Sequence, residues 1–248
     1  MIWRRLDTTP IDIDTGIEPA VAFAVSDALA AHAVPLVTSR HGRVEPLASG
    51  VFYRAGHRLW LVTCRHVFDG GLALGDLGIA LPTLGCVRWL RNARARLLTH
   101  PEHDLAAILI GAGECERDLR RAWPALPLAD FDDAPAQALV LAAYPYAQMR
   151  RVDDVLHARP VVVFARWLQS ADDVRASYAR FARRADGLAV HAPALDGASG
   201  ATLWALRTFA DDGRCVLQPA AVQFAFKHDA YMRGAPFGAL RQLLMTAQ

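Results

Sequence analysis

What most constrains this chain is how short its apolar runs are. Apolar and β-branched residues gather at 34–38, 50–54, 59–63, 79–81, 86–90 and 105–110, and again at 138–143, 159–165, 188–191, 202–208 and 216–226. Turn-forming stretches separate them, among them Ser39-Arg40-His41-Gly42, Arg54-Ala55-Gly56-His57 and Ala210-Asp211-Asp212-Gly213. Runs of this length bounded by turns read as strands, and their even spacing without intervening helical periods predicts an all-β fold, antiparallel, of the sandwich or barrel kind. Helical spacing is clearest at the two ends. Val21, Val25, Ala28, Leu29 and Ala33 recur at helical intervals within 18–33, with Pro19 where a first turn tolerates it. Phe237, Leu240, Leu243 and Leu244 do so within 237–245. Residues 172–184 read as helix or loop with Val174, Tyr178 and Phe181 on one face, and residues 115–133, rich in proline and charge, read as a connector between two halves.

Composition excludes several classes of function. With 53% hydrophobic and 21% charged residues over 248 positions, the chain can bury a substantial core, and disorder is excluded as its main state. Lys+Arg number 27 against Asp+Glu 25 and are scattered, so no nucleic-acid footprint is expected. Cys64, Cys86, Cys115 and Cys215 are widely spaced without a C-x-x-C pair, which argues against a zinc site and against a disulfide framework, and favours a reducing compartment. Asp7, Asp12 and Asp14 interrupt the start before any secretory apolar region forms, and no apolar run reaches the roughly 18–20 residues of a membrane span. A cytoplasmic protein with no membrane contact is the expectation.

Three local patterns carry chemistry. Leu61-Val62-Thr63-Cys64-Arg65-His66-Val67, preceded by Ser49-Gly50-Val51-Phe52-Tyr53, is an apolar strand ending in a histidine whose outer nitrogen can face a cleft, as a general base requires. His103-Asp104-Leu105-Ala106-Ala107 places an acid at the head of an apolar strand, where it can orient an imidazole or simply close a turn. Leu195-Asp196-Gly197-Ala198-Ser199-Gly200 flanks a serine with glycines, a geometry that exposes the hydroxyl and can turn amides toward one point. Each alone is a common composition. Their conjunction, in the order His66, Asp104, Ser199, is far more specific.

On these residues the chain resembles the trypsin-like (chymotrypsin-fold) serine peptidases, in particular bacterial Deg-type members, without a following PDZ domain. The resemblance covers about residues 35–240. It implies two antiparallel six-stranded β-barrels with short N- and C-terminal helices. As one peptidase unit over 1–248, this gives a helical segment at 1–34, a first barrel at 35–118, a second at 119–232 and a closing helix at 233–248. His66 is then the base and later the acid, Asp104 orients it, Ser199 is the nucleophile, and the amides of Gly197 and Ser199 form the oxyanion hole. Ala198, where zymogen-activated members carry an aspartate, argues against activation by a freed N-terminus. The resemblance places the specificity pocket around Pro193 and Asp196 on one side and Gln223, Phe224, Ala225 and Phe226 on the other. Pro193 at the position of the trypsin acid gives no support for cleavage after Arg or Lys; an apolar or small side chain is expected.

His41, His57, His100, His103 and His191 match no zinc spacing and read as solvent-facing or hydrogen-bonded; no metal and no cofactor is expected. Arg65 reads as an outward charge, Cys64 as a small core residue, and Trp60, Trp89, Trp167 and Trp204 as packing. A serine endopeptidase acting on a protein or peptide, restrained by a regulatory protein partner, is the leading reading. A non-catalytic module that binds peptides or a partner in the same cleft is the alternative, with a serine esterase on the same scaffold behind both.

Overall fold

The strand Arg43–Ala55 organises the first sheet, because its two halves serve different neighbours. Residues 43–50 pair antiparallel with Val34–Arg40, and residues 51–55 with Arg58–Thr63. A register shift between Leu36 and Val37 bends the ladder near the handover. From Ala48 to Tyr53 the strand is buried on both faces, which explains why Val51-Phe52-Tyr53 is continuously apolar rather than alternating. Leu77–Leu81 and Cys86–Trp89 extend the sheet one way, Ala106–Ile110 and Ala95–Thr99 the other, and Leu126–Pro127 adds a short parallel pair. The computed structural model describes residues 2–40, 42–82, 84–128, 136–153, 155–170, 172–184, 186–208 and 215–246.

Among the described residues the second sheet has ten strands. Its middle runs Ala230–Pro236, Cys215–Lys227, Thr202–Thr208, Ala138–Ala143, Val161–Ala165. Cys215–Lys227 repeats the device of the first sheet: it pairs with Thr202–Thr208 along its first part and with Ala230–Pro236 along its second, with register shifts in both ladders. A three-stranded sheet joins Ile2–Arg5, Val155–Ala158 and Met149–Val152.

The protein is therefore mostly β-sheet with few helices. The expected pair of closed six-stranded barrels takes a different form. Among the described residues the sheets hold eight and ten strands and are curled and open, since the end strands Cys86–Trp89 and Ala95–Thr99 do not pair with each other. Part of the surplus comes from the beginning of the chain. Residues 1–34 were expected to be helical. The helix Pro19–Ala30 is present with Pro19 in its first turn, but Thr9–Ile13 enters the second sheet beside Val161–Ala165.

The segment 172–184 also departs from expectation, forming the strands Val174–Tyr178 and Phe181–Arg184. Val174 and Tyr178 lie four apart, a spacing that shares a face in a strand as well as in a helix, and Ala176, also buried, breaks the tie in favour of period 2. Phe181 is 65% exposed and lies on no common buried face. Within the connector, Glu114–Ala122 is a helix with Glu114 and Glu116 in its first turn and Arg120 and Arg121 in its last, charges that match the helix dipole. Positions 129–135 of the connector, the turn at 210–213 and His41 lie outside the described residues.

Three clusters form the core. The first packs Phe52, Trp60, Leu61 and Ile108 with Leu119 of the connector helix and with Leu240, Leu243 and Leu244 of the closing helix Phe237–Met245. The chain thus returns from the second sheet to cover the first, and each of those leucines contributes about 2 kcal/mol by burial. The second cluster lies within the second sheet around Leu141, Val163 and Leu203. The third joins the leading helix, through Val25 and Leu29, to Val37 of the first sheet and Val140, Phe164 and Trp204 of the second. Trp60 and Trp204 are core residues as expected, Trp89 and Trp167 are half-buried, and Cys64 is fully buried. No disulfide joins any of the four cysteines among the described residues. No helix among the described residues is long and apolar enough to cross a membrane.

Candidate active site

The pairing of Arg58–Thr63 with Ala106–Ile110 brings Thr63 opposite Ala106, so the chain leaving the first strand and the chain entering the second meet at one edge. His66 lies three residues beyond Thr63 and opens a one-turn helix, His66–Asp69; Asp104 lies two residues before Ala106. Asp104 grips His66 twice. Its Oδ2 is 2.6 Å from His66 Nδ1, and its Oδ1 accepts the His66 backbone N–H at 2.9 Å. The second bond satisfies a helix-start amide, and the first orients the ring. The hydrogen bond from Asp104 raises the His66 pKa above the ordinary histidine value against the opposing effect of burial, with the charges of Asp104 and Asp69 adding to it. Burial pushes the Asp104 carboxyl up, but the ring and backbone hydrogen bonds from His66 outweigh it and hold the group below its ordinary value. An ionised Asp104 only accepts, so the neutral ring carries its proton on Nδ1 and keeps the Nε2 lone pair outward.

The loop before Asp104 is itself held. His100 is buried, and its Nδ1 accepts from the backbone N–H of Glu102 and of His103, both at 3.2 Å. Burial, with His103 nearby, lowers the His100 pKa, which keeps the ring neutral and able to accept. Arg65 is half-buried at the strand end. Its guanidinium donates to the carbonyls of His100 at 3.2 Å and Pro101 at 3.4 Å, tying the strand end to the aspartate loop.

Ser199 sits in a turn that only glycine permits at both flanks. Gly197 and Gly200 have φ of 87° and 91°. A Cβ on Gly200 would stand 2.2 Å from Ser49 O and from Thr63 Oγ1. The turn is bonded to the first sheet, with Ser49 Oγ donating to Gly197 O and Ser49 N donating to Ser199 O, both at 2.9 Å. Gln223 closes it from behind: its carbonyl accepts from Gly200 N at 2.8 Å and from Cys64 Sγ at 3.0 Å, and its N–H donates to Ala201 O.

His66 and Ser199 line one cavity of about 530 Å³ between the sheets. Among the described residues Ser199 Oγ forms no hydrogen bond with His66. Of the residues expected around a pocket, Asp196, Phe224, Ala225 and Phe226 line this cavity together with Gly197. Pro193 and Gln223 are not part of its wall: the Pro193 carbonyl accepts from Tyr178 OH, and Gln223 is buried behind the serine turn. Tyr146, Leu47 and Arg40, which no sequence pattern singles out, also line the wall, with Val67, Gly70 and Leu195. Tyr146 N donates to Asp196 O at 2.7 Å and its hydroxyl to Leu47 O, while a Cβ on Gly197 would fall 2.3 Å from its ring. Burial and the neighbouring Asp196 raise its pKa, with Arg40 opposing. Nothing local signals this role, since Tyr146 meets Gly197 only through the tertiary fold.

Cys64, His66 and Asp104 present potential ligand atoms within 4.8 Å of one another. Burial, with the Asp104 charge adding, pushes the Cys64 thiol well above its ordinary pKa, and its Sγ is already directed at Gln223 O. A thiol so disfavoured as thiolate makes a poor metal ligand.

No protein-family model matches the chain, and no curated protein matches it. Solved structures do. A thermostable serine protease, AL20, from an extremophilic microorganism is 15% identical, with 88% of this chain and 97% of that one covered at a TM-score of 0.52. A structure described under the coupled folding and binding of the intrinsically disordered Sesbania mosaic virus VPg protein is also 15% identical, covering 85% and 89% at 0.50. The chain is thus similar in fold to a serine protease over most of both lengths, and at this identity the likeness concerns the fold alone.

Proposed function

We propose that this chain is a trypsin-like serine endopeptidase of a Deg-like type, a single unit whose two curled sheets are the counterparts of the family's two barrels. The observation that carries the reading is the Asp104–His66 pair, bonded at 2.6 Å, on the same cavity as Ser199. In this reading His66 Nε2 takes the proton from Ser199 Oγ as that oxygen attacks the scissile carbonyl carbon. The carbonyl oxygen becomes an oxyanion beside the N–H groups of Gly197 and Ser199. Collapse breaks the C–N bond, His66 returns its proton to the leaving amine, and an acyl ester remains on Ser199. Water, deprotonated by His66, then releases the acid and restores the hydroxyl. Asp104 holds the Nδ1–H tautomer throughout and stabilises the imidazolium.

Phe224, Phe226 and Leu47 in the cavity wall favour an apolar side chain in the substrate over a cationic one. A cytoplasmic protein or peptide substrate and a regulatory protein partner complete the reading.

The test is labelling by a fluorophosphonate probe, with Ser199→Ala as control. Wild type should be labelled and the variant should not. Labelling that survives Ser199→Ala would sink the assignment.

One observation favours a second reading, a non-catalytic module binding peptides in the cleft: the missing hydrogen bond between Ser199 and His66 among the described residues. Catalytic hydrogen bonds are often long before substrate arrives, so the bond's absence alone does not decide. A folded wild type that resists the probe yet binds peptide would establish this reading instead.

A further inference from the structure

The serine turn is held from outside itself, in an alternating pattern. From Asp196 to Ser199 every peptide carbonyl has a partner. Asp196 O accepts from Tyr146 N at 2.7 Å, Gly197 O from Ser49 Oγ at 2.9 Å, Ala198 O from Ala201 N at 3.0 Å, and Ser199 O from Ser49 N at 2.9 Å. A trans peptide directs its N–H opposite to its C=O, so fixing each carbonyl fixes each amide. In the second and fourth of these peptides the amide is engaged as well, Ala198 N with Leu195 O and Gly200 N with Gln223 O, both at 2.8 Å. In the first and third, the N–H groups of Gly197 and Ser199 donate to no backbone carbonyl among the described residues. The two amides left over are those that an acyl transfer at Ser199 needs.

Such a turn is not self-supporting. Gly197 lacks a Cβ and sits at positive φ, so the peptides on either side of it can rotate at little steric cost. Rotation of the Asp196–Gly197 peptide would place a carbonyl where the oxyanion should form. The residue preceding Ser199 is Ala198, whose methyl group offers no charge to hold the turn. The peptide after Gly197 is held at its N–H by Leu195 O within the turn and, from outside the turn, at its carbonyl by the hydroxyl of Ser49, on the long strand of the other sheet. Ser49 is fully buried, and its oxygen also accepts from Tyr144 N at 3.0 Å, so donor and acceptor directions are both set.

We infer that Ser49 is a positioning residue for the reaction: its hydroxyl and amide pin the carbonyls of Gly197 and Ser199, in the two peptides on either side of the one that carries the Ser199 N–H, and so bracket the oxyanion amides in the resting chain. The inference rests on the peptidase reading and adds to it a residue that touches no substrate.

The test compares wild type with Ser49→Ala in the full chain, using a peptide ester and a peptide boronic acid, which forms a tetrahedral adduct on a reactive serine. Removing one oxyanion donor outright costs about 100- to 1,000-fold in kcat. Ser49→Ala keeps the Ser49 N–H on Ser199 O and removes only the hydroxyl pin on Gly197 O, so it should cost less, about 10- to 100-fold in kcat with KM changed less than about threefold, and boronate affinity should fall by a similar factor. A purely structural role would lower the melting temperature without this split. Unchanged kcat, or a loss appearing wholly in KM, overturns the positioning role while leaving the peptidase reading intact. A wild type inert to ester and boronate overturns both. Should Ser49→Ala fail to fold, amide hydrogen exchange in wild type decides. Ala198 and Gly200 should exchange at least about 100-fold more slowly than Gly197 and Ser199, a gap of about 3 kcal/mol in opening free energy. Equal protection of all four overturns the clamp.

Discussion

Asp104→Asn isolates the electrostatic part of the site with little change of shape. The remaining amide oxygen can still accept the His66 backbone N–H, now made at 2.9 Å, so the one-turn helix keeps its start. At Oδ2, now 2.6 Å from His66 Nδ1, an –NH₂ group replaces an acceptor. Two donors cannot face each other, so the imidazole must turn its Nδ1 lone pair toward the amide and carry its proton on Nε2. The nitrogen that should take the proton from Ser199 is then blocked. A wrong tautomer in such a site costs about 10⁴-fold in kcat, or about 5 kcal/mol of transition-state stabilisation. The pH profile supplies an independent check. The Asp104 hydrogen bond raises the His66 pKa, and activity needs the neutral ring, so the acid limb of kcat/KM in wild type should lie above about 6.5. In the variant, burial acts against a weaker counterforce and the limb should move to lower pH. Stability moves oppositely. The depressed Asp104 carboxyl contributes above its unfolded value of about 4 and loses that contribution as pH falls through its folded value; the raised His66 contributes fully below about 6.5 and loses it as pH rises through its folded value. The pair therefore stabilises the fold most in the window between, below the range where it works. Ester hydrolysis from pH 5 to 9 with parallel thermal melts measures both. A variant retaining more than a tenth of wild-type kcat/KM at pH 8, or keeping the same acid limb, would refute the orienting role of Asp104.

Two further variants test the packing. Gly200→Ala places a methyl 2.2 Å from Ser49 O and Thr63 Oγ1 at a φ of 91°, and should lower stability by about 3 kcal/mol or more in denaturant titration while abolishing activity. Leu240→Ala removes a fully buried side chain of the closing helix from the first-sheet core and should cost about 2–5 kcal/mol; a loss below 1 kcal/mol would mean that the helix does not anchor that core.

The parts of this fold legible in the sequence are those where burial leaves a single period. Ala138–Ala143 and, within Thr202–Thr208, residues 202–206 are buried on both faces, and both strands fall at the expected positions. Ala95–Thr99 and Met149–Val152 are half-exposed and interrupted by arginine, so their composition carries no strand signal; only their pairing makes them strands. At 172–184 a spacing of four fits two periods at once, and the neighbours in the sheet decide it. The same distinction divides the site. His66, Asp104 and Ser199 are legible because their residue types are chemically distinctive, and their meeting follows from one antiparallel pair and one turn. Ser49 and Tyr146 are ordinary residues whose importance lies in contacts made across the fold, with Gly197 O in one case and with Asp196 O and Gly197 in the other.

Those contacts belong to a buried polar seam between the sheets. Besides Ser49, it contains Tyr53 OH bonded to Thr202 Oγ1 at 3.0 Å and Cys64 Sγ on Gln223 O at 3.0 Å, and it is backed within the first sheet by Thr63 Oγ1 donating to Ser49 O at 2.9 Å. Apolar packing alone is non-directional and would let two curled sheets slide against each other by a fraction of an ångström without much loss. Hydrogen bonds are directional, and once desolvated each is costly to leave unmade, so a seam of this kind admits only one relative placement of the sheets. Every one of its bonds lies within a few residues of His66 or Ser199 along the chain, or holds a strand that carries one of them. The docking of the sheets and the geometry of the site are therefore one structural problem, solved by the same atoms. Gly200 sits where the serine turn packs directly on Ser49 and Thr63 of the first sheet, which is why a single methyl group there should disturb stability and chemistry together.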